Sequence, residues 1–469
     1  MTTVITRHRL VTYFLLAVFW ITATDRFLLQ ELTRSDAESV ETAIRVFCQL
    51  SLLGVGTLLL RKRMDLILVL IFCFFTLAGT CVVNQHSLFT WLDGLRNYVG
   101  YLFVIPIIRY LWDSDVERPF FVHAMERSLF LFLWLQLPCI LIQYAQYSNL
   151  DYVGGSLGWK MSGVISNLIY LTSFYLMLRR WNSSLSYLEN LKVNWILILL
   201  LFPTMLNETK VSFVYLAMYF IFLVPIDRHF VKRLIWIGPL VAIMLGLAVF
   251  AYSKVVSNSG IMTADNAIEL YLIGDDQAMM LVEYILERDD EDVMETDFAR
   301  GLKFFITPAV MNRQPSSWIW GYGLGQYKVG DSAKKSKFAT RYYWLLRGTT
   351  IQSQYTWLET GLVGLGMYTL YWFLILRVGR RKGISRNKQL QWMLGLMALI
   401  FSVYNAPFLV VPFCIIFLFM AFVSSRWDKL PPYKVIKLLG SRPIVFSLRE
   451  PDAVNTIKPV SDATDEQYS

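Results

Sequence analysis

The chain has 469 residues, of which 55% are hydrophobic and 15% aromatic, and its mean hydropathy of +0.46 exceeds what a soluble domain of this length needs. The formal net charge is +9, but the basic residues gather on one side of the apolar segments, which argues against nucleic acid as a partner. The five cysteines lie inside apolar runs without metal-ligand spacing, so neither a disulfide framework nor a metal site is expected. We predict an all-α integral membrane protein.

Apolar runs, taken in chain order, predict about twelve transmembrane helices, because a helix needs about 20 mostly apolar residues to cross about 30 Å of hydrocarbon. The runs lie at residues 9–24, 41–60, 64–83, 95–111, 128–147, 161–178, 193–206, 211–225, 234–252, 351–376, 389–405 and 407–424. The seventh and eighth runs are short, and only residues 405–407 separate the last two. The predicted number of spans is therefore approximate.

Basic residues in short loops give the orientation of the spans. The breaks at residues 61–63, 179–180, 228–233 and 377–388 are rich in Lys and Arg, and they fall on one side of the membrane if the spans alternate. That side is expected to be the cytoplasm. We predict a multi-pass protein with both termini in the cytoplasm.

Four regions follow from these runs. Residues 1–252 hold predicted helices 1–9, residues 253–350 form a large outer loop, residues 351–424 hold helices 10–12, and residues 425–469 form a cytoplasmic tail expected to be partly disordered. A loop of this length is seldom a mere connection. Its segments "AMMLVEYILERDDED" and "ETDFARGLKFFITPAV" predict two amphipathic helices, the second capped by Thr296.

Basic residues at the outer ends of the predicted spans point to a binding site for an anion. Four lie within a turn or two of an outer end, a fifth precedes a span, and two share a face of the second loop helix. They are Arg45, Arg96, Lys160 and Lys210, then Arg347, and then Arg300 and Lys303. Each of these side chains alone can extend to the lipid head groups, but the positive-inside rule disfavours so many basic residues at the outer ends of the spans. Together they predict a cationic pocket for a lipid-linked phosphate or diphosphate delivered in the membrane plane.

A carboxylate inside the tenth predicted span also needs an explanation, because a charge in hydrocarbon is costly. Gln352, Tyr355 and Glu359 recur at helical spacing, so all three can face one polar cavity near the outer surface. Glu359 is then placed to act as a base or to orient an acceptor hydroxyl. The alternative is that Glu359 pairs with an arginine inside the bundle.

Four short motifs occur in a distinctive order around the large loop. They are "SGVISNLIYLTSFYL" at 162–176, "LNETKVSFVY" at 206–215, "WIWGYGLGQY" at 318–327 and "YTWLETGLVGLGMY" at 355–368. With the predicted topology, they resemble the O-antigen ligase and O-antigen polymerase superfamily of bacterial inner-membrane proteins. In that family a glycine-rich turn ends the loop, and the start of the next helix reads as polar residues followed by Glu, any residue, Gly, two residues and Gly. The resemblance covers residues 160–424.

The resemblance implies a GT-C-like fold and a glycosyltransferase that acts on a polyprenyl-diphosphate-linked glycan, such as one on undecaprenyl diphosphate, in the periplasm. No metal or other cofactor is expected. Glu359, Arg300 and Arg347 are the expected catalytic residues. The expected diphosphate-binding residues are Lys210, Arg96, Arg45, Lys160 and Lys303, and the expected substrate-binding residues are Gln352, Tyr355, Trp320 and Tyr322. The aromatic residues of the loop can stack on sugar rings or can anchor the loop at the membrane interface.

Two departures from the family pattern decide between its branches. Ligases carry a His-Asn pair shortly before the motif glycine, and here that window reads Thr350, Ile351 and Gln352. Lys210 stands where the family places Arg, which keeps the charge but loses the planar fork. The polymerase branch therefore fits better than the ligase branch, with O-antigen, capsule or exopolysaccharide as the product.

Two other classes of function stay open at this point. A transporter or flippase of lipid-linked glycans also needs many spans, and a membrane scaffold also fits the amphipathic loop. The charges gather at the outer end and not at the midplane, which disfavours transport. Besides the lipid-linked oligosaccharide and membrane lipids, a partner protein that sets chain length is left open.

Overall fold

In this computed structural model the structure describes residues 6–33, 38–147, 152–206, 211–226, 229–236, 238–239, 242–243, 246, 300–327, 337–346, 350–377 and 385–433. Within these residues it contains helices and turns and no strands, so the prediction of an all-α protein is confirmed for the described part of the chain. The first amphipathic loop segment, at 278–292, and the cap Thr296 lie outside the described residues, as does most of the ninth predicted span.

The helices of the first half follow the predicted runs closely. They are α1 Arg7–Arg26, α2 Glu38–Leu58, α3 Arg63–Leu77, α4 Leu88–Leu95, α5 Val99–Asp113, α6 Arg118–Gln146 and α7 Ser162–Arg180. A π-helical turn extends α1 over Phe27–Leu32 and another extends α3 over Ala78–Val83. A short 3-10 helix, Arg96–Tyr98, joins α4 to α5. The helix at the fifth predicted span begins at Arg118, earlier than the predicted 128, because the preceding amphipathic turns continue it.

The helices of the second half are shorter and more broken. They are α8 Tyr187–Val193, α9 Trp195–Leu199, α10 Pro203–Leu206, α11 Val211–Phe222, α12 Arg300–Asn312, α13 Ser317–Trp320, α14 Lys337–Arg341, α15 Tyr343–Leu346, α16 Gln352–Arg377, α17 Ser385–Tyr404 and α18 Val411–Ser425. The seventh predicted span is therefore not one straight helix but the sequence α8 to α10. A capping box starts α8, in which Ser186 and Glu189 each bond the other's backbone N–H.

Among the described residues, three helices are long and apolar enough to cross a membrane, at Arg7–Leu32, Arg63–Val83 and Arg118–Gln146. The pair Tyr187–Val193 and Trp195–Leu206 adds a fourth if its 76° bend is part of one span. By length and composition, these helices indicate a membrane protein. The predicted twelve spans require the remaining helices to cross as well, and many of those carry polar residues or breaks.

The core of the bundle is built from helices at both ends of the chain. Helix α5 packs against α2 and α18, and α7 packs against α6, α11, α17 and α18. Helix α18 is buried along almost its whole length, from Val411 to Ser424. Helix α16 contacts α13 and α17, which places the end of the large loop directly on the helix that carries Glu359.

Candidate functional site

Helix α16 is kinked at Gly361, and the glycine-rich turn at 321–325 fills the kink. Gly361 has φ +66° and ψ −171°, which is not helical. The carbonyl oxygens just before it accept from the turn: Tyr322 N–H donates to Leu358 O at 2.7 Å, and Gly323 N–H donates to Glu359 O at 3.1 Å. The turn therefore satisfies helix carbonyls next to the break, which would be costly to leave unpaired when buried.

The close approach of the two segments requires glycine. A Cβ at Gly361 would collide with the carbonyl oxygen of Ile319, and a Cβ at Gly321 would collide with the backbone of Glu359. On the opposite side of the turn, a Cβ at Gly94 would collide with the backbone nitrogen of Gly325. Since Gly361 and Gly321 also have positive φ, these positions tolerate other residues poorly.

The Glu359 carboxylate is the hydrogen-bond acceptor at the centre of this arrangement, and only 2% of the residue is exposed. Its Oε1 accepts from Gly325 N–H at 3.1 Å and from Tyr327 N–H at 3.4 Å. Its Oε2 accepts from the Tyr98 hydroxyl at 3.1 Å, and the Tyr355 hydroxyl, one turn earlier on α16, is also hydrogen-bonded to it. Among the described residues Glu359 has hydroxyl and amide partners and no ion pair. Within the described part of the chain, Glu359 therefore does not form the ion pair with an arginine that was the alternative to a polar cavity.

The 3-10 helix before α5 supplies the other side of this polar network. Asn97 Nδ2 donates to the Tyr355 hydroxyl at 2.8 Å, next to the Tyr98 contact with Glu359. The neighbouring Arg96 is half-buried, and its nearest carboxylate oxygen, of Asp93, lies 3.5 Å from Nη2. The Arg96 Nε is buried and has no hydrogen-bond partner among the described residues. Arg96 thus keeps donor capacity beside the network that joins the glycine-rich turn to α16.

Three buried amides connect α7, α16 and the break before α18. Gln352 N–H donates to Asn405 O at 3.2 Å, and Asn167 Nδ2 lies 3.5 Å from Asn405 Oδ1. Within the part of the chain that the structure describes, the buried atoms Asn167 Oδ1, Gln352 Oε1 and Asn405 Nδ2 have no hydrogen-bond partner. Unpaired buried amides are rare, so this cluster has the capacity to bind a polar group or water.

The other predicted cations lie in different settings. Arg45 bonds Asp25 at 2.8 Å and Glu41 at 3.0 Å. Arg26 bonds the same Glu41 at 2.5 Å, so the four charges neutralise one another in pairs. This arrangement supplies Arg45 with protein carboxylates and leaves it a poor candidate for binding diphosphate.

Lys160 and Lys303 differ sharply in exposure. Lys160 is exposed, with its Nζ 4.0 Å from the centre of the Trp159 ring. Lys303 is 1% exposed, and its carbonyl oxygen accepts from Gln354 Nε2 at 3.2 Å, which ties α12 to α16. Arg300 begins α12, and Lys210 and Arg347 lie outside the described residues.

Trp320 and Tyr322, the predicted sugar-stacking residues, are used in packing. The Trp320 ring stacks on Phe75 at 4.5 Å with an interplanar angle of 12°. The Tyr322 hydroxyl donates to Val310 O at 2.6 Å, and its ring lies 4.4 Å from that of Phe338. These contacts fasten the glycine-rich turn to α3 and to the loop, so neither ring is an open platform.

Several residues of the site were missed from the sequence. Asn97 and Tyr98 follow the predicted cation Arg96, but nothing in their spacing connects them to a helix more than 250 residues later. Asn405 lies in the short polar break between the last two predicted spans, and that break is the sequence feature that could have indicated a site residue. Neither the protein-family models nor the curated protein sequences contain a match to this chain. The family resemblance therefore rests on the sequence motifs and the predicted topology alone.

Proposed function

We propose that this protein is a membrane glycosyltransferase that polymerises polyprenyl-diphosphate-linked oligosaccharide repeat units at the outer face of a bacterial inner membrane. The main observation behind the proposal is that two of the sequence motifs, the glycine-rich turn and the segment around Glu359, are hydrogen-bonded to each other. The glycine-rich turn donates backbone N–H groups to the side chain and carbonyl of Glu359, so the two form one structure. A third motif joins through Asn167, whose partner Asn405 bonds the start of α16.

The chemistry is a displacement at the anomeric carbon of the donor sugar. The acceptor hydroxyl oxygen forms the new bond, the bond from carbon to the diphosphate oxygen breaks, and its electron pair leaves with the polyprenyl diphosphate. The proton of the acceptor hydroxyl goes to an oxygen of the departing diphosphate. Negative charge grows on the diphosphate, and cationic N–H donors stabilise it. Arg96 is the described cation best suited to this, because its buried Nε lacks an acceptor. Arg300, Arg347 and Lys210 stay the further candidates implied by the family pattern.

In this proposal Glu359 is a positioning residue that holds the glycine-rich turn in place and does not transfer protons. A carboxylate that is 2% exposed and is hydrogen-bonded to two backbone amides and two tyrosine hydroxyls is occupied in holding the turn. The acceptor sugar would lie against the amide atoms of Asn167, Gln352 and Asn405 that have no partner among the described residues, which suit neutral hydroxyl groups. The GT-C-like architecture with about twelve spans belongs to the same proposal.

The test is a product gel from purified protein in lipid vesicles, given a polyprenyl-diphosphate-linked oligosaccharide isolated from the host. Neither nucleotide sugar nor metal is added. A ladder of repeat units supports the proposal, and its loss in Arg96→Ala supports the assigned cation. The matched control is Arg9→Ala, an arginine at the opposite end of the bundle that pairs with Glu117 at 3.1 Å.

Two other outcomes would overturn the polymerase assignment. A single joined product that appears only when lipid A core is added would identify a ligase. Movement of unchanged substrate across the vesicle membrane, with no ladder and no joined product, would identify a transporter.

A further inference from the structure

A pocket lies at the opposite end of the bundle from the candidate site, where the basic loops gather. It has a volume of about 350 Å³ and opens between the start of α1, the link from α2 to α3 and the end of α5. This volume is within the range of pockets that hold small molecules or lipid head groups. None of its residues belongs to the site proposed for glycosyl transfer.

The carboxylates of the pocket are already paired. Asp65 is buried and bonds Arg109 at 2.8 Å. Asp113 bonds both Lys62 at 3.1 Å and Arg426 at 3.3 Å. These two acids are thus each matched by at least one cation, and Asp113 is matched by two.

Arg61 gives the pocket its unbalanced positive charge. No ion pair to Arg61 occurs within the described residues, and its guanidinium lies 5.2 Å from the centre of the Tyr110 ring. The same ring stacks on His8 at 4.3 Å with an interplanar angle of 5°. A guanidinium fixed against an aromatic ring keeps its N–H groups directed at an acceptor with little loss of side-chain freedom.

The remaining surface of the pocket and its surroundings are apolar. Leu59 and Pro106 line it. Close by in the chain, Leu58 is 76% exposed and Leu10 is 62% exposed, which is the exposure expected of side chains that face lipid. A ligand that combines an anionic phosphate with hydrocarbon matches both parts of this site, whereas a soluble phosphate would use only the polar part.

We propose that this pocket binds the phosphate of an anionic phospholipid from the adjacent leaflet, with Arg61 and Lys62 as phosphate ligands. The acyl chains then extend along the exposed leucines of α1 and α2. An anionic head group is attracted by the net positive charge and is held by charge-assisted hydrogen bonds. This site is independent of the proposed glycosyltransferase activity and would stand if that activity were disproved.

The experiment is native mass spectrometry of the purified, delipidated full-length protein titrated with phosphatidylglycerol, phosphatidylcholine or inorganic phosphate. Phosphatidylglycerol is expected to bind more tightly than phosphatidylcholine. Arg61→Ala should weaken phosphatidylglycerol binding about tenfold, the size expected for loss of a hydrogen bond to a charged group. The matched control is Arg63→Ala, an exposed arginine two residues away that does not line the pocket.

Three results would overturn the proposal. They are equal affinity for the two lipids, equal weakening by Arg61→Ala and Arg63→Ala, and competition by inorganic phosphate at the same concentration as the lipid. If Arg61→Ala does not yield folded protein, Lys62→Gln tests the same site, because Asp113 keeps Arg426 as its partner in that variant. A Lys62→Gln protein that binds phosphatidylglycerol as tightly as the unmodified chain would also overturn it.

Discussion

The role assigned to Glu359 leads to a prediction that separates positioning from acid–base catalysis. In Glu359→Ala, the N–H groups of Gly325 and Tyr327 and the hydroxyl of Tyr98 all lose their acceptor. Each unpaired buried donor costs about 1–3 kcal/mol, so the variant should lose about 3–6 kcal/mol of stability after partial relaxation. In Glu359→Gln, the amide oxygen still accepts from both backbone N–H groups, and the tyrosine hydroxyls can rotate to accept from the new NH2 group. That variant should stay close to the unmodified protein.

The assay compares both variants by heat-induced loss of monodisperse protein in detergent and by turnover per folded molecule on the product gel. Glu359→Ala should unfold at a clearly lower temperature, and protease should cut more readily near residues 321–325. Glu359→Gln should keep its fold and turnover within about tenfold. If Glu359→Gln folds normally but loses about a thousandfold or more of its turnover, Glu359 is the general base and the positioning role is refuted.

Four further predictions concern the site and its surroundings. Arg96→Lys should lower turnover less than Arg96→Ala, because it keeps the charge but loses the guanidinium fork; equal turnover of the two variants on the product gel would contradict this. Gly361→Ala should destabilise the protein, because a non-glycine residue at positive φ costs about 1–2 kcal/mol and because the alanine Cβ would collide with Ile319 O. The control is Gly366→Ala, whose added Cβ meets open space, and it should melt at the same temperature as the unmodified protein. Arg45→Ala should lower the free energy of unfolding by about 3 kcal/mol, because it leaves the buried Asp25 poorly paired. Protein abundance and total activity should therefore fall together, while turnover per folded molecule should stay unchanged. His86 contacts Tyr322 O at 3.2 Å, and burial lowers the pKa of its imidazole below the ordinary 6.5. As the pH falls, the unfolded chain therefore binds a proton at His86 before the folded chain does. The melting temperature should decrease as the pH is lowered below about 6.5, and His86→Gln should remove this decrease.

The sequence predicted the helices of the first half of the chain well and the site only in part. Long apolar runs define α1, α3 and α6 because hydrocarbon tolerates little else, and the boundary at Arg118 was missed where the apolar pattern begins late. The broken segment α8 to α10 was less predictable, since the same apolar composition suits a straight helix. The number of spans stays a prediction beyond the three or four helices that composition supports.

The charges were predictable by position but not by partner. Glu41 and Arg45 are four residues apart on α2, a spacing at which an ion pair is expected on a helix. Asp25 and Arg26 lie on α1, so their part in the same cluster depends on how two helices pack. Likewise, Gln352, Tyr355 and Glu359 share a face, but the donors to Glu359 come from the turn and from Tyr98, which only tertiary structure brings together.

The burial of α18 also constrains the order in which the bundle can be assembled. This helix contacts α1, α5 and α7 at the centre of the fold, yet the ribosome delivers it after the other α-helices that the structure describes. Until Val411–Ser425 emerges, the apolar faces of α1, α5 and α7 that it will contact must be covered by lipid or by one another, and that temporary cover has to be displaced. Completion of the core is thus a late, post-insertion event, and a chain that stops before residue 411 is expected to reach the membrane without a finished interior.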